Sequence, residues 1–364
     1  MPAMGVSGGS NAAPADGGSL GQNAFWSVSN WYAEKMPTVI TATLSAAQQQ
    51  FTNNNVNPGQ FLRGVRLLVR STGGSGGTAT ADNPGALFQS LELDNVDGAN
   101  IMYPMGGYAY LQGQRYFRPW LGDPAASYDF AAGANPSMTL FVQPEIRHTA
   151  GVLSNTDSRS QYKWGATLGT LTQLGITTAP TVTVTPYMDA WAQPDAQDLQ
   201  GVPNQPLPPG LNLQTIRRHE TQPLLSAQAD NVFVSHLTGN EIRGMILILR
   251  DSNNARQDYA ADPIRWTLDN RNLGTLSPDE LFNWMSNFYA DWQLGPRPTG
   301  VYVFPRFFNP GDLLGQGWLA TTNATKLQWE FNTATGAANL PGTIELITDE
   351  VIPVGPIPSE LDHI

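Results

Sequence analysis

The chain of 364 residues has no cysteine. This excludes disulfides, thiolate metal sites and a cysteine nucleophile, so packing, hydrogen bonds and assembly must hold the protein together. Charge is also scarce, since Asp, Glu, Lys and Arg make up 13% of the residues, about half of the roughly 25% usual in globular domains. Lysine is almost missing, with only Lys35, Lys163 and Lys326, and the formal net charge is −11. Such a balance lacks the clustered basic surface that grips a phosphate backbone, which argues against direct contact with nucleic acid. No apolar run approaches the ~18 residues of a membrane span, and the N-terminus lacks the basic-then-apolar order of a signal peptide. A soluble, unexported chain is the expectation.

Motifs for chemistry are equally thin. The four histidines, His148, His219, His236 and His363, show no metal-ligand spacing, and there is no His-x-His. Ser75 in "GGSGG" satisfies Gly-x-Ser-x-Gly formally, but the polar, non-periodic residues after it cannot form the helix that a nucleophile elbow needs. "DNVDGAN" (Asp94 to Asn100) lacks the alternating oxygen ligands and terminal Glu of a calcium loop and reads as a turn. No carboxylate pair stands out for glycoside hydrolysis: Asp279 and Glu280 belong to a helix start, and the neighbours Asp349 and Glu350 point to opposite faces of a strand. No catalytic residue, cofactor or metal ligand is assigned, and enzyme is the weakest class.

What the chain has in quantity is glycine (36), proline (28) and short apolar runs of alternating type. Val65, Leu67 and Val69 alternate with Arg66, Leu68 and Arg70; similar alternation covers Met138–Gln143 and Thr181–Thr185. Residues 1–37 read as a flexible Gly/Ala/Ser/Asn arm carrying an aromatic segment, in which Phe25, Trp26, Trp31 and Tyr32 could share one side of a short helix and touch a neighbour or a lipid surface. Residues 191–212 are Pro-rich and read as a linker. The loops Ser71–Gly85 and Leu111–Pro136 read as irregular.

Two stretches on either side of the linker repeat. "LRGVRLLVR" (Leu62–Arg70) is matched by "IRGMILILR" (Ile242–Arg250), then Leu93-Asp94-Asn95 by Leu268-Asp269-Asn270, "LFVQPEI" (Leu140–Ile146) by "VYVFPRF" (Val301–Phe307), and "TVTVTPY" (Thr181–Tyr187) by "TIELITD" (Thr343–Asp349). The order is preserved while the offset drifts from 180 to 162, as expected of duplicated strands joined by loops of different length. The second copy is apolar on both faces, so something covers its outside, and a contact between the two halves is the favoured source.

One segment is plainly helical. In "LSPDELFNWMSNFYADWQLGP" Ser277 caps, Pro278 fits the first turn, Glu280 completes the capping box and Gly295-Pro296 stops the chain. Leu281, Trp284, Met285, Phe288 and Trp292 form its apolar stripe, a candidate for packing over a barrel or filling a subunit contact. The fold expected is mainly β: two consecutive eight-stranded antiparallel jelly-roll sandwiches, with a helix inserted in the second. The first would span 38–190, the second 213–355, with a short tail at 356–364.

The repeated Arg-Gly strand, the Leu-Asp-Asn turn, and the helix "PDELFNWMSNFYADW" leading into "TGVYVFPRFF" resemble the double jelly-roll major capsid proteins of tectivirus-like viruses, tailless icosahedral viruses with an internal membrane. The resemblance implies a homotrimer of pseudo-hexagonal outline, tiling a virion shell together with penton, spike and minor capsid proteins, made in the host cytoplasm and touching the internal membrane through its arm. The long loops would form towers or contacts between trimers. The rival reading is a glycan- or receptor-binding spike or fibre, with some of the ten Trp as stacking platforms.

Overall fold

The structure is a computed structural model that describes residues 22–78, 80–123, 137–147, 150–211, 213–224, 231–307, 315, 317–334, 337 and 339–353. The first part of the arm, the tail, His148, His363 and the second half of the Leu111–Pro136 stretch, whose first residues prove to be helical, lie outside the described residues.

A four-residue helix α1 (Phe25–Val28) leads into β1 (Trp31–Lys35), β2 (Ile40–Thr43), β3 (Gln49–Asn55), β4 (Phe61–Gly77), β5 (Phe88–Asp94) and β6 (Asn100–Met105). Helix α2 (Gly107–Phe117) follows, then β7 (Ser137–Val142), β8 (Leu153–Ser154), β9 (Lys163–Leu168), the single turn α3 (Leu171–Leu174) and β10 (Ile176–Trp191). β1 and β2 pair successively with β10 and count as one edge, which gives sheets ordered β1/β2–β10–β4–β7 and β3–β9–β5–β6.

After the linker come β11 (Leu213–Leu224), β12 (Asn231–Ser235), β13 (Glu241–Arg250), β14 (Ala260–Leu268), β15 (Arg271–Leu276), helix α4 (Pro278–Phe288), β16 (Val301–Pro305), β17 (Leu319–Ala320), β18 (Leu327–Thr333) and β19 (Gly342–Pro353). Their sheets run β11–β19–β13–β16 and β12–β18–β14–β15, the same order strand for strand. Even the two-residue strands correspond, β8 pairing with β4 where β17 pairs with β13. The chain therefore holds two eight-stranded jelly rolls.

The four sequence matches fall on equivalent strands, but pairing sets a finer register. Opposite β4, Asp189 faces Gly64; opposite β13, Asp349 faces Gly244. By this pairing Thr343 corresponds to Thr183 rather than to Thr181. Both sheets carry a bulge at the Arg-Gly pair, so that the pairing with β10 skips Arg63 and the pairing with β19 skips Arg243.

Three sequence expectations change. The aromatic segment is not one helix: α1 ends at Val28, and Trp31–Lys35 is a strand hydrogen-bonded to β10, so the arm of residues 1–37 gives up its last part to the first sandwich. The Ser71–Gly85 stretch is not wholly irregular, because β4 runs on to Gly77 against the start of β10, placing Ser75 in a ribbon. The first sandwich also has a long helix: α2 lies between β6 and β7 as α4 lies between β15 and β16. Helix α4 itself forms with both halves of its Ser277/Glu280 capping box and Pro278 at its start, but stops at Phe288, so Trp292 sits in a following 3₁₀ turn.

Candidate functional site: the charged seam between the sandwiches

The two sandwiches join side by side. Edge strand β6 of the first meets edge strand β11 of the second through a parallel bridge, Met102 to Arg217, so one nine-stranded sheet crosses the boundary. Helix α2 lies against β13, β16 and β19, on the outside of the second sandwich, and all of its residues are buried. The sequence prepares this contact with small residues. A Cβ on Gly244 would stand 2.8 Å from the Phe117 ring, and one on Gly113 would stand 3.1 Å from Arg217 Nη1. This covering explains why every residue of β13 from Ile242 to Arg250 is buried.

Asp349 is the centre of the seam. It is fully buried on β19 and faces three guanidiniums: Arg118 Nη1 at 2.8 Å, Arg243 Nη1 at 2.6 Å and Arg217 Nη2 at 3.8 Å. Burial alone would raise its pKa, but the positive charges of Arg118, Arg243 and Arg217 hold it below the ordinary carboxylate range. Arg118 comes from the first sandwich, just past α2, and it also donates to the carbonyls of Glu145 and Pro144 at 3.0 Å each. One side chain thus ties the turn after β7 to the last strand of the other sandwich.

Three cations around one anion leave positive charge in excess, which aromatic faces take up in part. Arg217 lies over Tyr110 and Phe117, at 5.3 and 5.6 Å from the ring centroids, and Arg243 lies 4.8 Å from that of Phe307. Burial lowers the pKa of Arg217. Next to this cluster Glu350, on the opposite face of β19, accepts from Asn240 and Thr348 at 2.5 Å and pairs with Arg218 at 3.5 Å.

A second charged contact closes the other end of the seam. Asp82, in the turn after β4, pairs with Arg250 at 2.5 Å and Arg256 at 2.6 Å, both from the second sandwich. Arg250 also pairs with Glu345, which His219 approaches at 3.5 Å. These residues and Tyr108 line an open cleft of about 820 Å³. Its arginines and carboxylates are paired with each other, so the cleft works as a clasp. Beside the Asp349 cluster, Tyr289 of the second sandwich donates to the Tyr116 carbonyl of α2 at 3.0 Å.

The residues singled out from the sequence lie elsewhere or only border the seam. Phe25 is fully buried against Phe61, Val152 and Trp191, so it is internal packing and offers no external contact. Trp26 is half-buried, 4.9 Å from Trp191, and Tyr32 is half-buried against the core. Trp31 is 50% exposed on the free edge β1. On α4, Leu281 and Met285 are buried and Trp284 and Phe288 half-buried, as is Trp292 in the turn that follows. Arg118, Arg217, Asp349, Asp82 and Arg250 were not picked out, although buried charge is a notable use of residues in a chain so poor in them. Among the described residues no group of three or more His, Asp or Glu side chains could hold a metal ion.

No family model and no curated protein sequence matches the chain. Solved structures do. A chain of the atomic structure of Sulfolobus turreted icosahedral virus aligns with a TM-score of 0.63 at 11% identity, covering 91% of this chain and 95% of that one. The PBCV-1 virus capsid aligns with a TM-score of 0.60 at 13% identity over 89% and 94%. The major capsid protein P2 of bacteriophage PM2 aligns with a TM-score of 0.51 at 8% identity over 88% and 97%. At such identities the likeness speaks for the architecture: this chain has the double jelly-roll fold of viral major capsid proteins.

Proposed function

We propose that the chain is the major capsid protein of an icosahedral virus, assembling as homotrimers whose six sandwiches give a pseudo-hexagonal block. The observation that carries this reading is the pair of same-order sandwiches set side by side and fixed by buried ion pairs. Two similar lobes per chain let three chains present six similar sides, which tile a surface. The low charge of 13% suits a protein whose surface is largely covered by other copies. The division at the linker, the virion location, the internal membrane, and penton, spike and minor capsid partners belong to the same reading. Contact of the N-terminal aromatics with membrane or neighbour rests on Trp31 and Trp26.

The glycan-binding alternative is less well supported. Among the ten Trp only Trp31 is open, while Trp164, Trp191, Trp266 and Trp329 are core residues. Electron microscopy and native mass measurement of the purified chain test the choice. Six-lobed trimers and shells are expected, and a stable monomer that binds a glycan array would overturn the reading.

A further inference from the structure

Asp349 and its twin Asp189 sit in differently balanced surroundings. In the first sandwich two carboxylates meet two guanidiniums: Glu145 accepts from Arg63 Nε at 2.6 Å, and Asp189 pairs with Arg66 at 3.2 Å. Glu145 is also the residue whose backbone N–H donates to the Arg63 carbonyl. In the second sandwich the same backbone bond, to the Arg243 carbonyl, comes from Arg306. A cation thus stands where the first sandwich has Glu145, and the one carboxylate shared by Arg118, Arg243 and Arg217 is Asp349.

The three guanidiniums use that carboxylate unequally. Arg118 and Arg243 both donate to Asp349 Oδ2, at 2.8 and 2.6 Å, whereas Arg217 Nη2 stands 3.8 Å from Oδ1, beyond hydrogen-bond range. Among the described residues Nε and Nη1 of Arg217 have no hydrogen-bond partner, and neither has the hydroxyl of Tyr110, whose ring lies 5.3 Å from the guanidinium. Both side chains are fully buried. A buried charge is strongly unfavourable unless it is paired and hydrogen-bonded. Water would satisfy these donors and leave the charge uncompensated; a small anion does both.

We infer that the seam binds a monatomic anion of the chloride class, held by Arg217 Nε and Nη1 and by the Tyr110 hydroxyl. Enclosure sets the size. A Cβ on Gly113 would stand 3.1 Å from Arg217 Nη1 and 3.3 Å from Nε, and the ring of Phe117, on the same helix, lies 5.6 Å from the guanidinium. A phosphate or sulfate would have to part α2 from β11 to enter. Asp349 repels such an ion, but Arg118 and Arg243, bonded to its Oδ2, offset that repulsion. The ion joins the two sandwiches, since Tyr110 belongs to α2 of the first and Arg217 to β11 of the second. An ion bound only by the folded seam stabilises it by mass action.

Long-wavelength diffraction from crystals of the full chain grown in sodium chloride tests it, because chlorine scatters anomalously where the oxygen of water does not. An anomalous peak within hydrogen-bond range of Arg217 and the Tyr110 hydroxyl is expected. In solution, the melting temperature should rise to a plateau with added sodium chloride or bromide, measured against sodium gluconate at equal ionic strength. Tyr110→Phe keeps the ring and removes one donor, so it should raise the halide concentration at half effect about tenfold or more. Arg217→Met should abolish the halide dependence; should that variant fail to fold, Tyr110→Phe and the anomalous peak decide. No peak at Arg217, a melting temperature that follows ionic strength alone, or a halide dependence unchanged in Tyr110→Phe would each overturn the inference.

Discussion

The strand written twice has two fates. In the first sandwich Val65, Leu67 and Val69 face a core, while Arg66, Leu68 and Arg70 look outward and are half-buried or exposed. In the second, the same positions carry Met245, Leu247 and Leu249 inward and Ile246, Ile248 and Arg250 outward, and all six are buried. Backbone, register and bulge agree. What differs is whether a helix from the neighbouring sandwich lies on top. A strand's outward residues therefore report its covering rather than its fold, and reading them separates the finished seam from the open one.

The same contrast appears in the aspartates opposite the two glycines. Asp349 has its pKa lowered by three guanidiniums despite complete burial. For Asp189, burial is the larger influence and outweighs Arg66 and Arg63, so its pKa is pushed up to about 6. One twin is a stabilising anion at neutral pH. The other is ionised there at a cost.

The largest effect should come from breaking the seam at its centre. Asp349→Asn leaves Arg118, Arg217 and Arg243 buried without a counter-charge, and is expected to cost about 3–5 kcal/mol in denaturant unfolding. The wild-type contribution of Asp349 should be fully present above the unfolded carboxylate pKa and be lost as pH falls through its depressed folded value.

Next come the final arginines of the twin strands. Arg250→Ala removes the link from Asp82 to Glu345 and should cost about 1.5–3 kcal/mol. Arg70→Ala, at an exposed position, should change the stability of the isolated chain by no more than about 0.5 kcal/mol. Equal effects would contradict the contrast between covered and open faces.

The twin glycines sharpen it further. A Cβ on Gly64 would meet the Val142 carbonyl oxygen at 2.5 Å and Gln143 Cα at 2.7 Å, both backbone of its own sandwich. Gly64→Ala should therefore cost about 1–3 kcal/mol by overpacking. Gly244→Ala meets only the Phe117 ring and should cost less, while loosening α2 as seen by amide exchange.

The smallest effect is a pH dependence. Because the folded pKa of Asp189 is raised, its contribution to stability is most favourable below the unfolded value near 3.9 and declines as pH rises towards 6. Relative to Asp189→Asn, the wild type should lose about 1–2 kcal/mol between pH 4 and pH 7, after allowance for solvent screening. A flat difference across that range would show that Asp189 stays solvated.

Much of this was legible in the sequence, and the gaps have physical causes. The duplicated strands could be read because inward positions of a sandwich keep a period of two whatever surrounds them. Helix α4 announced itself through Ser277, Pro278 and Glu280. Helix α2 did not, since it has Gly106 at its N-cap with no side-chain cap, Gly107 and Gly113 within it, and no exposed face to set up a stripe. A helix buried on all sides has no helical period of polarity. The seam was hidden for a related reason, because Arg118 meets Asp349 only where the two sandwiches come together, although Arg217 and Asp349 are cross-strand partners within the second. Even so, the doubly apolar Ile242–Arg250 strand had announced that a cover existed.

Amide hydrogen exchange, compared between the dissociated chain and the assembled particle, tests the central claim most directly. The account expects α2 to be protected in both states, and α4 with β15 to gain protection only on assembly. Exchange in α4 and β15 that is the same in both states, or an α2 that is protected only in the particle, would contradict it.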